Sequence, residues 1–361
     1  MNTPSSATPP ASADKPRRWQ RRLVGCYLEL RVVPVLLWSF SAITLGSALA
    51  WDEAGQVGWM VAAWVIGLLL QGAVAHCVNE LTDWRSGTDR DPAPRVLSGG
   101  SKVLRAGLLT ERDLVWMGTG AAVLATGLGV VVAAERGWWL LAFGAVGLVG
   151  AVAYTLPPLA AAYVPFAGEG VAVLCVWACA VGGFAVQAGS ISAQVLLVGA
   201  SHAAFCVSML MFHHYLDRGP DSRAQPPKRT TVVRLGGAAR AYGLAWAGVA
   251  AASAVLATLV VDVRLAPTAV AGMVAVVLHG RVRLDDPVAV TRAEAIVIGA
   301  GIVAAITSSI LLAPTLWWVA IVPLVLVPVE GIIAARWLTP ALALTPPEPD
   351  VPDITTAAGA A

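Results

Sequence analysis

Runs of mostly apolar residues, each near the length of about 20 that carries a helix across a bilayer, recur along almost the whole chain. They fall at roughly 32–50, 57–79, 113–134, 138–156, 168–187, 191–214, 239–261, 266–280, 294–313 and 315–335. Inside lipid a backbone must satisfy its own polar groups, so such runs become helices. The eighth is short, and Pro34, Pro267 and Pro323 sit in or near runs, where a kink is better tolerated than in water. Only 13% of residues are charged and 57% are hydrophobic, whereas a soluble domain carries roughly a quarter charged. No soluble core holds that much apolar surface. The fold class is all-α and polytopic.

The five cysteines lie mostly within apolar runs and show no zinc-site spacing; Cys175 and Cys179 share a helix face as packing residues. The opening MNTPSSATPPASADKPRRWQRR is polar and then basic, without the apolar core and small-residue site of a signal peptide. It reads as a disordered tail leading into an amphipathic basic segment. With the N-terminus in the cytoplasm, all of the 24 Lys and Arg residues except Arg136 and Arg264 fall on that side. The net charge of +2 is uninformative beside that distribution, and nothing points to a nucleic-acid partner.

Two polar stretches interrupt the apolar pattern. The first, from His76 to Arg105, contains Asn79, Asp83, Asp89 and Asp91; the second, from His213 to Thr230, contains Asp217 and Asp221. An even number of runs separates them, so both emerge on the cytoplasmic side, and their spacing fits a duplicated four-helix unit. Asn79 and Asp83 are four residues apart and share a face if the helix continues, as do Asp217 and Asp221. Gly87 lets the chain turn so that Asp89 folds back toward Asp83. Such hard oxygen donors suit Mg2+, which is held by one or two carboxylates together with substrate phosphates. Arg95, Lys102, Arg105, Lys228 and Arg229 lie close enough in sequence to neutralise a diphosphate. The Gly99–Ser101 turn offers backbone N–H groups to the same anion. Asp91, Arg90, Arg112 and Arg218 read as solvated loop charges. Asn79, Asp83 and Asp217 do not, because they continue apolar helices, where an unpaired carboxylate is costly.

NELTDWRSGTD resembles the first Asp-rich motif of the UbiA-type intramembrane prenyltransferases, and its spacing is closest to the menaquinone branch that prenylates 1,4-dihydroxy-2-naphthoate. GGSKVLRAGLLT, YTLPP at Tyr154 to Pro158, Gly168–Glu169, KRTTVVRLG and DPVAV are similar to that branch in the same order. The resemblance covers roughly residues 30 to 313. It implies nine membrane helices around a central cavity, with a polyprenyl diphosphate held through Mg2+. By the same resemblance Asn79, Asp83 and Asp89 bind one metal and Asp217 and Asp221 the other, with Lys102, Lys228 and Arg229 on the diphosphate. His213 and Leu216 stand where the family often has Asn and Arg, and the segment after YTLPP lacks the family's usual basic residue. The tenth run is an addition to the family's nine.

The expected reaction is Mg2+-dependent transfer of a polyprenyl group to a small aromatic acceptor through an allylic cation in a dry cavity. Asp83, Asp217, Tyr154 and His213 are the candidate catalytic residues. Glu169, His214 and Tyr215 are further candidates near the cavity, with helix-end and interfacial roles as their alternatives; His76, His202 and His279 read as structural. Two other readings remain open: a terpene cyclase or a different acceptor on the same scaffold, and a secondary transporter. The chain divides into a disordered, basic segment at 1–30, the prenyltransferase domain at 31–314, an additional membrane helix at 315–337 and a disordered tail at 338–361. Its expected place is a bacterial cell membrane, with the lipid bilayer as its solvent and the active-site loops cytoplasmic.

Overall fold

The computed structural model describes residues 17–90, 95 and 97–344. Asp91 lies outside them, as do most of the N-terminal segment and the end of the C-terminal tail. The regular structure of the described residues is all helical, without strands. Among the described residues nine helices are long and apolar enough to cross a membrane: α1 (Arg18–Leu49), α2 (Val57–Ser86), α3 (Glu111–Arg136), α5 (Ala167–Ala188), α6 (Ala193–Arg223), α7 (Thr231–Val260), α8 (Val263–Arg281), α9 (Pro287–Leu312) and α10 (Pro314–Thr339). The shorter apolar helix α4 (Trp138–Ala153) lies between α3 and α5. Every expected run is therefore helical. The basic lead-in is helical too, from Arg18, and the C-terminal helix runs on to Leu344, past the expected start of the tail.

Local chemistry sets several helix starts. Thr110 and Asp113 form a reciprocal capping box before α3, Thr110 N–H donating to Asp113 Oδ2 at 2.9 Å and Asp113 N–H to Thr110 Oγ1 at 3.2 Å. Asp286 accepts the Val288 and Ala289 N–H groups at 3.0 Å each at the head of α9, where Pro287 occupies the first turn. The two basic residues that depart from the charge asymmetry serve helix ends as well. Arg136 donates to the terminal carbonyls of α5, at Val186 and Gln187, and Arg264 to Leu312 at the end of α9. Cations at helix C-termini are favourable, which accounts for both.

The most deeply buried spanning helix is α6, packed against α5, α7 and α9. Only α10 stands largely outside the bundle. It rests against both halves of α1, which is broken at Arg31 (φ 48°). The break frees the Val33 N–H, and Glu330 of α10 accepts it at 2.9 Å. Before the break, Leu28 packs with Val103, Leu108, Leu109 and Leu114, so the amphipathic start of α1 seats the loop between α2 and α3.

Candidate active site

The ends of α2 and α6 meet. Gln225 N–H, just past α6, donates to Ser86 O near the end of α2 at 2.8 Å. Asp83 and Asp217 thereby face one space although 134 positions apart in sequence. Asn79 Nδ2 donates to Asp83 Oδ2 at 3.0 Å, the helical neighbour relation expected of that spacing. Gly87 takes φ +90° and turns the chain into a single 3-10 turn, Thr88–Arg90, which buries Asp89 beside the same space. Asp217 and Asp221 follow one another down the last turns of α6, which stays helical through Pro220.

A cavity of about 1260 Å3 opens at this point. Its mouth is lined by Asn79, Asp83, Asp89, Arg95, Lys102, Asp217, Asp221 and Lys228. Below them the wall is mostly apolar as far as Val132, Leu140, Phe143 and Val186. On α5 alone the lining runs from Val171 to Val186, about 22 Å of helix at 1.5 Å per residue. That is most of a hydrocarbon core about 30 Å thick. Polar at one end and apolar down its length, the cavity matches an amphiphile with a charged head.

The charges at the mouth pair crosswise. Lys228, from the loop after α6, donates to Asp83 Oδ2 at 2.6 Å, while Arg95, from the loop after α2, donates to Asp217 Oδ1 at 2.7 Å. Arg95 also holds Thr88 O at 2.7 Å. Burial opposes the Lys228 charge, yet the Asp83 and Asp221 carboxylates raise its pKa well above the ordinary lysine value. Tyr163 donates to Asp83 Oδ1 at 3.2 Å, and burial together with Asp83 pushes its phenol up to about 12. Asp89 is held well above the usual carboxylate range, by burial first and then by Asp83, Glu80 and Asp217.

Among the described residues no three Asp, Glu, His or Cys side chains converge into a ready-made metal cage. A cage is not what Mg2+ requires when a substrate supplies oxygens. Asp89 Oδ2 and Asp221 Oδ1 are buried without a hydrogen-bond partner, one in each acidic motif. Buried carboxylate oxygens left bare in this way are costly, and a hard divalent cation relieves them. The donor set fits.

Some expected residues lie elsewhere. Arg229 is exposed and does not line the cavity, since its neighbour Lys228 takes the inward position and successive residues outside a helix face different ways. Arg105 does not line the cavity either. The Gly99–Ser101 turn is occupied differently from the expectation: Ser101 N–H donates to Glu80 Oε2 at 2.6 Å and Ser101 Oγ to Glu29 Oε2 at 2.5 Å. Gly100 (φ +70°) sits so close to the Asp89 and Glu80 carboxylates that no Cβ fits between them. Tyr154, His213 and His214 line the cavity, whereas Tyr215 bonds Ala239 O and His279 behind it. Glu169 is buried but not part of the lining. Arg90 and Arg218 are exposed, as solvated charges should be.

Four residues at or near the site escaped the sequence reading: Glu29, Glu80, Tyr163 and Glu294. Glu294 carried a usable signal. It is an ionisable residue at the head of the apolar run that begins at 294, and ionisable residues buried at membrane depth are functional by default.

These features define an integral membrane protein built around one amphiphile-shaped cavity with a charged mouth. Residues 37–298 match the UbiA prenyltransferase family. The chain belongs to that family and is a prenyltransferase. No match was found among curated proteins. In fold it is similar to a UbiA homolog from Archaeoglobus fulgidus bound to GPP and Mg2+ (TM-score 0.56, 14% identity, 78% of this chain and 99% of that one). It is also similar to the apo structure of a UbiA homolog from Aeropyrum pernix K1 (TM-score 0.54, 17% identity, 74% and 96%).

Proposed function

We propose that this prenyltransferase moves a polyprenyl group from an isoprenyl diphosphate to a hydroxylated aromatic acceptor resembling 1,4-dihydroxy-2-naphthoate. The observation that carries the reading is the continuity of the charged mouth with a long apolar shaft in one cavity. The diphosphate lies at the mouth and the prenyl tail in the shaft.

Asn79, Asp83 and Asp89 on one side, and Asp217 and Asp221 on the other, would hold Mg2+; a UbiA homolog from Archaeoglobus fulgidus is bound to GPP and Mg2+. The chemistry that Mg2+ supplies when bound is neutralisation of the diphosphate charge. Lys228, Arg95 and Lys102 complete that neutralisation from the protein side. As the allylic C–O bond breaks, its electron pair leaves with pyrophosphate. The apolar wall keeps water from the cation until a ring carbon of the acceptor forms the new C–C bond and then loses its proton or carbon dioxide. Tyr154 and His213 line the same cavity and are the side chains assigned to that ring. The mouth faces the cytoplasm on the charge asymmetry of the loops. Residues 31–314 form the main catalytic body, and the helix that follows adds a wall to its cavity.

The test is product analysis by mass spectrometry on purified protein given geranylgeranyl diphosphate, with and without 1,4-dihydroxy-2-naphthoate. A prenylated naphthoate is expected, lost with EDTA and restored by Mg2+, and absent in Asp83→Ala and Asp217→Ala. A cyclic hydrocarbon formed without acceptor would overturn the transfer reading. Full activity in either aspartate variant would overturn the metal assignment.

A further inference from the structure

Glu294 stands near the start of α9 on the stripe that faces the cavity, with Ala295, Ile298 and Gly299. It is 1% exposed. His213 Nδ1 lies 3.0 Å from its Oε1, and with that nitrogen protonated the imidazole donates to the carboxylate. Its other oxygen, Oε2, is buried and has no hydrogen-bond partner. A carboxylate oxygen bare inside an apolar helix bundle is expensive unless something binds to it.

The chemistry of the possible occupants is restrictive. The diphosphate is an anion and is repelled by a carboxylate. The prenyl tail has no donor to offer. Mg2+ is assigned to the carboxylates of the two acidic motifs, and among the organic components of the reaction only the acceptor's hydroxyl group provides an O–H. Position agrees with chemistry, because the opposite nitrogen of His213, Nε2, is 3.5 Å from Asp217 Oδ2. Glu294 is therefore one imidazole away from the mouth where the allylic carbon is released. Trp38 Nε1, on the same cavity, is another buried polar atom without a partner and is of the opposite sense, a donor.

We propose that Glu294, oriented by His213, is the acceptor-binding residue of this enzyme, receiving a hydrogen bond from a hydroxyl of the aromatic substrate. The inference rests on the aromatic-acceptor reading above. It assigns the acceptor to the α6–α9 side of the cavity.

The test uses the full chain in lipid nanodiscs with Mg2+ and two probes, 1,4-dihydroxy-2-naphthoate and its 1,4-dimethoxy analogue, which lacks the O–H donors. Binding is measured by equilibrium dialysis for the natural protein, Glu294→Leu and the near-isosteric Glu294→Gln, which guards against a misfolded leucine variant. Loss of a hydrogen bond to a charged group should weaken the dihydroxy probe by about tenfold in Glu294→Leu. The loss in Glu294→Gln should be smaller, and the dimethoxy probe should be unaffected. Equal binding of the dihydroxy probe to all three proteins overturns the proposal. So does its failure to bind the natural protein, and so does an equal loss for both probes. If binding follows the expected pattern while the product assay yields no prenylated naphthoate, the transfer reading fails and the Glu294 site stands.

Discussion

Lys102 is the cation at the mouth whose charge is easiest to lose. It is held in the left-handed region (φ 65°), with its Nζ on Ser98 O at 3.1 Å and Gly100 O at 3.3 Å. Burial, then the neighbouring Arg31 charge, lowers its pKa to about 8. The protonated form is the one that binds diphosphate, so kcat/KM for the prenyl diphosphate should be full below pH 8 and fall as pH rises through it. In Lys102→Arg the charge persists, and the descending limb should move to higher pH; an unchanged profile would remove Lys102 from diphosphate binding. Lys102 was legible because it followed an acidic motif in a basic segment. Glu80 lay inside the same motif and was not, because its work is to grip the Ser101 amide, a contact made by a loop 21 positions away. Tyr163 had still less to show, being a lone polar aromatic in a mostly apolar loop, and its bond to Asp83 spans 80 positions of sequence.

At the scale of the element, the apolar runs gave the helices because lipid leaves a backbone no other choice. What they could not give was how each helix ends or breaks. The interruption of α1 at Arg31 follows from tertiary contact: the released Val33 N–H is satisfied by Glu330, 297 positions on. The role of α10 was equally invisible in its composition. Val327, Glu330, Gly331 and Ala334 line the cavity, so α10 is a wall of it rather than an independent anchor. Removing residues 314–361 should leave α1–α9 assembled, since α10 is the least buried of the spanning helices. The opened wall should admit water to the allylic cation, and the share of prenyl alcohol among the products should rise several-fold. Chromatography of the lipid products measures that share. An unaltered ratio would mean that α1 and α9 close the cavity by themselves.

For the whole molecule, the count of runs between the two acidic motifs placed both on one side, and the structure brings them together. Their connection was not legible, because charges on separate loops do not declare their partners in a sequence. The observed pairs run between halves: Asp83 and Arg95 precede the exposed turn between α5 and α6, whereas Lys228 and Asp217 follow it. A chain cut in that turn would give two pieces, each with a carboxylate and a cation whose observed partners lie on the other piece. Unpaired, such groups cost several kcal/mol each, roughly 3–5 for a broken pair, so neither piece has a satisfied resting state alone. Produced together in one membrane, the pieces complement each other's deficits. Co-expression of 1–190 with 191–361 should restore prenyl transfer where each fragment alone has none, and co-purification through a tag on one fragment should fail when Asp83 and Asp217 are both replaced by alanine. The crossed pairs thus tie the two halves of the chain to each other across the mouth of the cavity.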